Sequence, residues 1–295
     1  MSRSLMEILK EQTFDSDLVT INFVEGPPSG PPLVLLHGGG DRWQCFLPII
    51  PSLVMRWHVY ALDLRGHGKS GRVPGQYRPE QYVPDIMAFL ERRVTEHPIL
   101  FGHSLGGWIA LMVAADLGEK MRALILGDPP LCMESWVEHE GSEASIGFYR
   151  ALRGLTGSGL SVPELASALA DLPVSVPGQE APMRYGDLPG RDAAHIRGWA
   201  KTLSQVDPDV AQYHAEGRMA EYVRNVDLDA ALRRLTCPVL LLQAAVVSDS
   251  DAEHALSLLA DGVHAKLEDV GHSLGLDTWR VAPLLRAVTD FLESL

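Results

Sequence analysis

Ile99-Leu100-Phe101-Gly102-His103-Ser104-Leu105-Gly106-Gly107 decides how the rest of the chain is read. Three apolar residues predict a buried strand, and Trp108 to Leu117 predicts a helix. Between the two stands a G-x-S-x-G sequence. In that setting the glycines permit a tight strand-to-helix turn that holds the serine hydroxyl exposed in strained geometry. The helix N-terminus behind it offers free N–H groups and partial positive charge to a developing anion. Ser104 is therefore the candidate nucleophile.

Outward from this turn, short apolar runs alternate with helical segments. Leu33–Leu36, Val59–Leu62, Ala123–Leu126 and Val239–Leu242 are four-residue apolar runs, and Ala265-Lys266-Leu267 is a weaker one. Continuous runs of this length suit strands buried on both faces of a parallel sheet. With helices predicted between them, for example Trp279–Leu295, the pattern is that of an α/β fold with helices on both sides. From about Leu131 to Leu232 the strand signal stops, and helix-like pieces alternate with breakers at 154–159, 173–189 and Pro208. This stretch reads as a helical insertion, because the strand pattern resumes at Cys237-Pro238-Val239.

Two further segments complete a site around Ser104. His37-Gly38-Gly39-Gly40 closes an apolar strand. Acyl transfer needs two N–H donors aimed at an oxyanion, one from the residue after the nucleophile and one from such an earlier loop. Leu105 supplies the first donor and Gly39 the second, with Gly40 as the alternative. Near the other end, Asp269-Val270-Gly271-His272-Ser273 follows the last apolar strand. Of 11 histidines, His272 stands last in the order Ser, acid, His, on a loop after a strand, and is the candidate general base. His103 reads as packing.

These pieces resemble the α/β-hydrolase superfamily, and its compact serine hydrolases with one helical cap. The resemblance is carried in order by Leu35-Leu36-His37-Gly38-Gly39, Asp63-Leu64-Arg65-Gly66-His67-Gly68-Lys69-Ser70, the Gly102–Gly107 turn, Cys237–Leu242 and Gly271-His272. It implies a mostly parallel eight-stranded sheet with helices on both faces, a core of residues 1–130 and 233–295, and a helical cap at 131–232. It also implies a Ser-His-acid mechanism without cofactor or metal. Serine at the nucleophile position argues against the dehalogenase and epoxide-hydrolase branches, which use a carboxylate. Gly68-Lys69-Ser70 ends like a phosphate-binding loop, but Asp63 stands where its first glycine should be. In the family this segment is a structural loop near the sheet's edge.

The acid departs from the pattern. In most relatives it follows the strand written here Val239–Leu242, and that position falls near Val247. Asp249 and Asp251 lie slightly late and have another use, since Ser250 with Glu253 makes a capping-box pattern. A second family position follows Ala123–Leu126, where the chain reads Gly127-Asp128-Pro129-Pro130. Asp128 at the carboxyl edge of the sheet is favoured, with Asp249 and Asp251 as alternatives.

The bulk properties set the frame. The net charge is −13, and no basic run exceeds Arg92-Arg93 or Arg233-Arg234, so nucleic acid is not an expected partner. Cys45, Cys132 and Cys237 form neither a disulfide framework nor a zinc pattern. Residues 1–10 lack the apolar run of a signal peptide and read as a short amphipathic helix. No apolar stretch approaches a membrane span, so a cytoplasmic location is expected. The expected activity is hydrolysis of a small or medium carboxylic ester or lactone through an acyl-enzyme. C–C hydrolysis, amide cleavage and perhydrolysis by the same triad, or a non-catalytic ligand-binding module, are the alternatives. Trp43, just past the oxyanion loop, is the candidate for the substrate pocket; the insertion aromatics Trp136, Phe148, Tyr149, Trp199 and Tyr213 read each as core first, with some of them expected to line an acyl or alcohol pocket.

Overall fold

The computed structural model describes residues 8–174 and 181–295. Most of the helix expected over residues 1–10 lies outside the described residues, and Lys10 opens a strand. The apolar runs become the centre of an eight-stranded sheet: β3 (Pro32–Leu36), β4 (His58–Leu62), β5 (Ile99–His103), β6 (Ala123–Gly127) and β9 (Val239–Gln243). Every residue of β3, β5, β6 and β9 is buried, as expected for strands covered on both faces. The edges are β1 (Lys10–Asp15), paired with β2 (Thr20–Glu25), and β10 (Gly262–Lys266). The order is β1-β2-β4-β3-β5-β6-β9-β10. The β1–β2 and β2–β4 pairs are antiparallel and the rest parallel.

Three helices on the sheet matter for the site. α1 (Pro79–Arg93) and α2 (Leu105–Leu117) pack on one face, and α8 (Ala282–Glu293) packs on the other. α8 starts later than Trp279, because the chain is still turning there: Trp279 has φ 59° and the Arg280 N–H returns to the Gly275 carbonyl.

Between β6 and β9 the chain runs through α3 (Met133–Glu140), α4 (Glu143–Thr156), α5 (Val162–Ala170) and α6 (Ala193–Leu203), then through short helical turns to Arg233. A two-residue strand pair, β7 (Pro173–Val174) with β8 (Met183–Arg184), interrupts the expected all-helical character. This insertion has its own small apolar cluster around Leu165, Leu169, Ala200 and Leu203. Its seam with the sheet is mixed: Tyr213, Met219, Tyr222 and Leu228 join the core cluster on the sheet, while Arg42 donates to Thr202 Oγ1 and Gln205 Oε1 and the Tyr77 hydroxyl donates to Asp207.

Register places the site. Leu36 pairs with Gly102, His103 with Gly127, and Gly127 with Leu242. The loops leaving β3, β5, β6 and β9 therefore emerge level with one another, at the carboxyl edge where open α/β sheets bind ligands. No helix among the described residues is long and apolar enough to cross a membrane.

Candidate active site

Ser104 sits between β5 and α2 with φ 52° and ψ −119°, a conformation that costs a non-glycine residue on the order of 1–3 kcal/mol. Its neighbours make that conformation possible. A Cβ on Gly102 would collide with the Gly106 carbonyl oxygen, and one on Gly106 with the Leu36 carbonyl oxygen. Only glycine at both positions lets the turn close against itself and against β3. The strained serine is locked by its own N–H donating to the Gly127 carbonyl (3.0 Å) and its carbonyl accepting from Gly107 (2.8 Å).

His272 Nε2 lies 3.0 Å from Ser104 Oγ, and His272 Nδ1 lies 2.8 Å from Asp128 Oδ2. The structure thus brings Ser104, His272 and Asp128 into one hydrogen-bonded path. Asp128 is fully buried with φ 48°. Its carboxylate accepts four backbone N–H groups, from Ala244, Ala245, Val246 and Val247, at 2.9–3.1 Å. Burial by itself would raise its pKa. The hydrogen bonds from His272 and from this loop outweigh burial, and the net pKa is below the ordinary carboxylate value. The loop after β9, where the family pattern expects an acid, has become a nest of donors for an acid carried by β6.

The other two acids have structural work. Asp249 is exposed and accepts from Gln243 Nε2 (2.7 Å) and Lys266 Nζ (2.6 Å). Asp251 completes a capping box with Ser248 at the start of α7 (Asp249–Leu258), two residues earlier than the Ser250–Glu253 pattern suggests.

His103 does more than pack. Its Nε2–H donates to the His272 carbonyl oxygen at 2.7 Å, tying the turn that holds Ser104 to the loop that holds His272. Its pKa is pushed down to about 4, by burial first and then by the neighbouring His272. The sequence signal was there in its adjacency to Ser104, but it does not reveal which way the ring points.

The His37–Gly40 loop is braced by the Asp63–Ser70 segment. His37 Nδ1–H donates to the Gly38 carbonyl (2.7 Å) and its Nε2 accepts from Leu64 N–H (3.0 Å). Reciprocally, His67 Nε2 accepts from Gly40 N–H (3.0 Å), while its Nδ1–H donates to the Arg65 carbonyl (2.9 Å). Both rings are neutral: burial drives the His37 pKa to about 4, and burial with the nearby His37 drives that of His67 to about 3. Gly40's amide is therefore occupied. Gly39, lining the cavity, has no acceptor among the described residues, and Leu105, first residue of α2, has none within the helix. The segment lies beside β3 rather than at the sheet's edge, because β4 is flanked by β2 and β3.

Above these groups opens a cavity of about 620 Å³. Ser104, Leu105, Gly39 and His272 form its floor, and the insertion forms its roof through Trp136, Phe148, Tyr149, Trp199, His214 and Tyr222. One sequence expectation fails here, that for Trp43. Trp43 does not face the cavity: it is 2% exposed, packed in the core beside Phe46, with its backbone N–H on Asp63 and its indole N–H on Glu11. The 3-10 turn it opens, Trp43–Phe46, directs it under the sheet rather than over it. Tyr213 is buried against Tyr222 and under Arg218 and is not part of the cavity wall. His214 and Tyr222, which do line it, carry no sequence signal that separates them from core residues.

Comparison with known proteins agrees with this architecture. The chain is 27% identical over 287 residues to 2-(acetamidomethylene)succinate hydrolase of Mesorhizobium japonicum, covering 95% of this chain and 94% of that one. Among solved structures it resembles an N-formylmaleamic acid deformylase of Pseudomonas putida S16 (TM-score 0.69, 20% identity, 95% and 100% of the two chains). It also resembles the enol-lactonase of Burkholderia xenovorans LB400 (TM-score 0.70, 18% identity, 96% and 100%). The model of the alpha/beta hydrolase family matches residues 33–282. Since that match spans every strand from β3 to β10 and every loop that meets at Ser104, the chain belongs to the alpha/beta hydrolase family.

Proposed function

We propose that the protein is a serine hydrolase that cleaves a small or medium carboxylic ester or lactone through an acyl-enzyme on Ser104. The observation that carries this reading is the hydrogen-bonded path from Ser104 Oγ through His272 to the buried Asp128 at the floor of the cavity. His272 Nε2 takes the hydroxyl proton as Oγ attacks the carbonyl carbon, while Asp128 holds the ring's tautomer and stabilises the imidazolium. The N–H groups of Gly39 and Leu105 receive the carbonyl oxygen as it becomes an anion. His272 then passes its proton to the leaving oxygen. Water attacks the acyl-enzyme, gives its proton to His272, and the acid departs as Ser104 is restored. Residues 131–232 serve as the cap that shapes the acyl and alcohol pockets.

A second reading, cleavage of an amide by the same groups, is favoured by the near full-length relative whose name carries an acetamido group. The relatives' names also carry succinate and maleamic acid, both carboxylic acids. Among the described residues no lysine or arginine lines the cavity, so the ester or lactone of an uncharged molecule remains the favoured substrate.

The test is reaction with a fluorophosphonate probe, with the adduct located by mass spectrometry, alongside Asp128→Asn and Asp249→Asn. The expected result is rapid labelling of Ser104 that collapses in Asp128→Asn and persists in Asp249→Asn. A wild-type protein that is folded and unlabelled at Ser104 overturns the hydrolase reading in favour of a ligand-binding one.

A further inference from the structure

Of the roof's polar atoms, one is both shut off from solvent and without a hydrogen-bond partner among the described residues, a ring nitrogen of His214. His214, on the short helix Gln212–Ala215, is surrounded by aromatic rings: Tyr149 at 4.3 Å, Tyr222 at 5.1 Å and Trp136 at 5.8 Å between centroids. Its Nδ1 is out of reach of solvent and has no hydrogen-bond partner among the described residues. The surface the ring retains faces the cavity it lines. Burial lowers its pKa to about 4, so the ring is neutral near pH 7. A buried lone pair without a donor is tolerated better than a buried N–H without an acceptor. The single proton of the neutral ring therefore belongs on Nε2, on the cavity side, as a donor.

The charges around the cavity point the same way. Glu140, Asp207 and Asp251 line it together with His139 and His272, and no lysine or arginine does among the described residues. Glu140 is held by the Ser145 hydroxyl (2.6 Å), Asp207 by the Tyr77 hydroxyl (2.8 Å), and Asp251 by the Ser248 N–H (3.4 Å). None of the three forms an ion pair among the described residues. Their field is therefore not neutralised locally, and a cleft of one sign repels ligands of that sign.

We propose that Trp136, Tyr149, Tyr222 and His214 form a subsite for an uncharged aromatic ring bearing a hydrogen-bond acceptor, which His214 Nε2–H engages, and that the cavity rejects the same ring bearing a carboxylate. This inference rests on the reading of Ser104 as nucleophile and names the substrate class that nucleophile serves. The aromatic faces supply flat apolar contact at little conformational cost. A neutral donor discriminates strongly, because a substrate lacking the acceptor leaves a desolvated N–H without a partner.

Three p-nitrophenyl esters of 3-phenylpropanoic acid decide it, with hydrogen, carbamoyl or carboxylate at the para position of the phenyl ring. Carbamoyl and carboxylate are nearly isosteric and differ in charge. With the purified full-length protein, kcat/KM for the carbamoyl ester is expected to exceed that for the carboxylate ester by about 30-fold or more, and that for the unsubstituted ester by roughly 10-fold. His214→Phe should collapse the carbamoyl-to-hydrogen ratio towards unity. His214→Gln, which keeps a donor, should retain part of it, and added salt should narrow the carboxylate gap. Equal use of the carboxylate and carbamoyl esters overturns the proposal, as does a carbamoyl preference unchanged in His214→Phe. Fluorophosphonate labelling of the same samples separates the two readings. A protein labelled at Ser104 that ranks the esters otherwise, or cleaves none, loses the subsite and keeps the nucleophile. A protein that is not labelled loses both.

Discussion

The floor and the roof of the cavity are built on opposite principles. On the floor almost every polar group is committed: Asp128 accepts five hydrogen bonds, His37 and His67 each make two, and His103 fastens the loop of His272. The amides of Gly39 and Leu105, without an acceptor among the described residues, are those the proposed chemistry asks for. The roof is made of aromatic side chains, Phe148, Tyr149 and Trp199 from the insertion's own cluster and Trp136 and Tyr222 from the core on the sheet, and the Nδ1 of His214 has no partner among the described residues. A fully satisfied polar network holds a single geometry, whereas an aromatic wall sets shape and affinity and leaves the reaction unchanged. Floor substitutions should therefore strike turnover or stability, and roof substitutions should strike the choice of substrate.

The largest break in this contrast should come from Asp128→Asn. The amide presents an NH₂ to backbone N–H groups and no longer fixes the His272 tautomer, so kcat should fall by about 10³–10⁴. Asp249→Asn, on the exposed side of the same loop, should change kcat less than about two-fold; a comparable loss there would place the acid elsewhere. Next in size, Trp43→Ala should cost about 3–5 kcal/mol in a denaturant titration, as an emptied core site does, while leaving the ranking of substrates as it was. Trp136→Ala should do the reverse, altering kcat/KM ratios at a smaller cost in stability. If Trp43→Ala re-ranks substrates, the floor and the roof are not separate.

Acid should expose the buried histidines of both floor and roof. Those at His37, His67, His103 and His214 have folded-state pKa values of about 4, 3, 4 and 4, against an unfolded value near 6.5. Between these limits the unfolded chain binds more protons than the folded one, so stability falls as the pH drops from about 6.5 towards 4. Each histidine contributes at most about 1.4 kcal/mol per pH unit. Asp41 runs the other way: burial raises its pKa to about 6, so between about pH 6 and 4 the folded state holds its extra proton and it offsets roughly one histidine. Chemical denaturation at pH 7, 6 and 5 should show a steepening loss, and a flat profile would mean the histidines are not buried neutral. The smallest effect belongs to the seam between floor and roof. Tyr77→Phe removes the hydrogen bond to Asp207 and should cost about 1 kcal/mol, with a rise in KM larger than any change in kcat if the roof shifts.

Much of the floor was legible because its requirements are local. A strand-to-helix turn with a strained serine demands glycine at 102 and 106, and central parallel strands demand unbroken apolar runs. Both leave marks within a few consecutive residues. β1 left none: Lys10-Glu11-Gln12-Thr13-Phe14-Asp15 is an edge strand with one side open to water, so its sequence is mostly polar. β10 was faint for the same reason.

What the sequence by itself determined was the α/β order of elements, the turn at Ser104, the loop that offers Gly39, and the histidine on the last loop, since each depends on short-range backbone sterics or on an uninterrupted burial pattern. Only the tertiary structure decided the rest. That Asp128 and not Asp249 meets His272 follows from four N–H groups of the β9 loop converging on a residue 116–119 positions away. The burial of Trp43 and the entry of His214 and Tyr222 into the cavity wall depend on how the helices of the insertion and the first turn after β3 pack. Side-chain direction in such segments is set by contacts between distant parts of the chain, and one-dimensional spacing does not encode them.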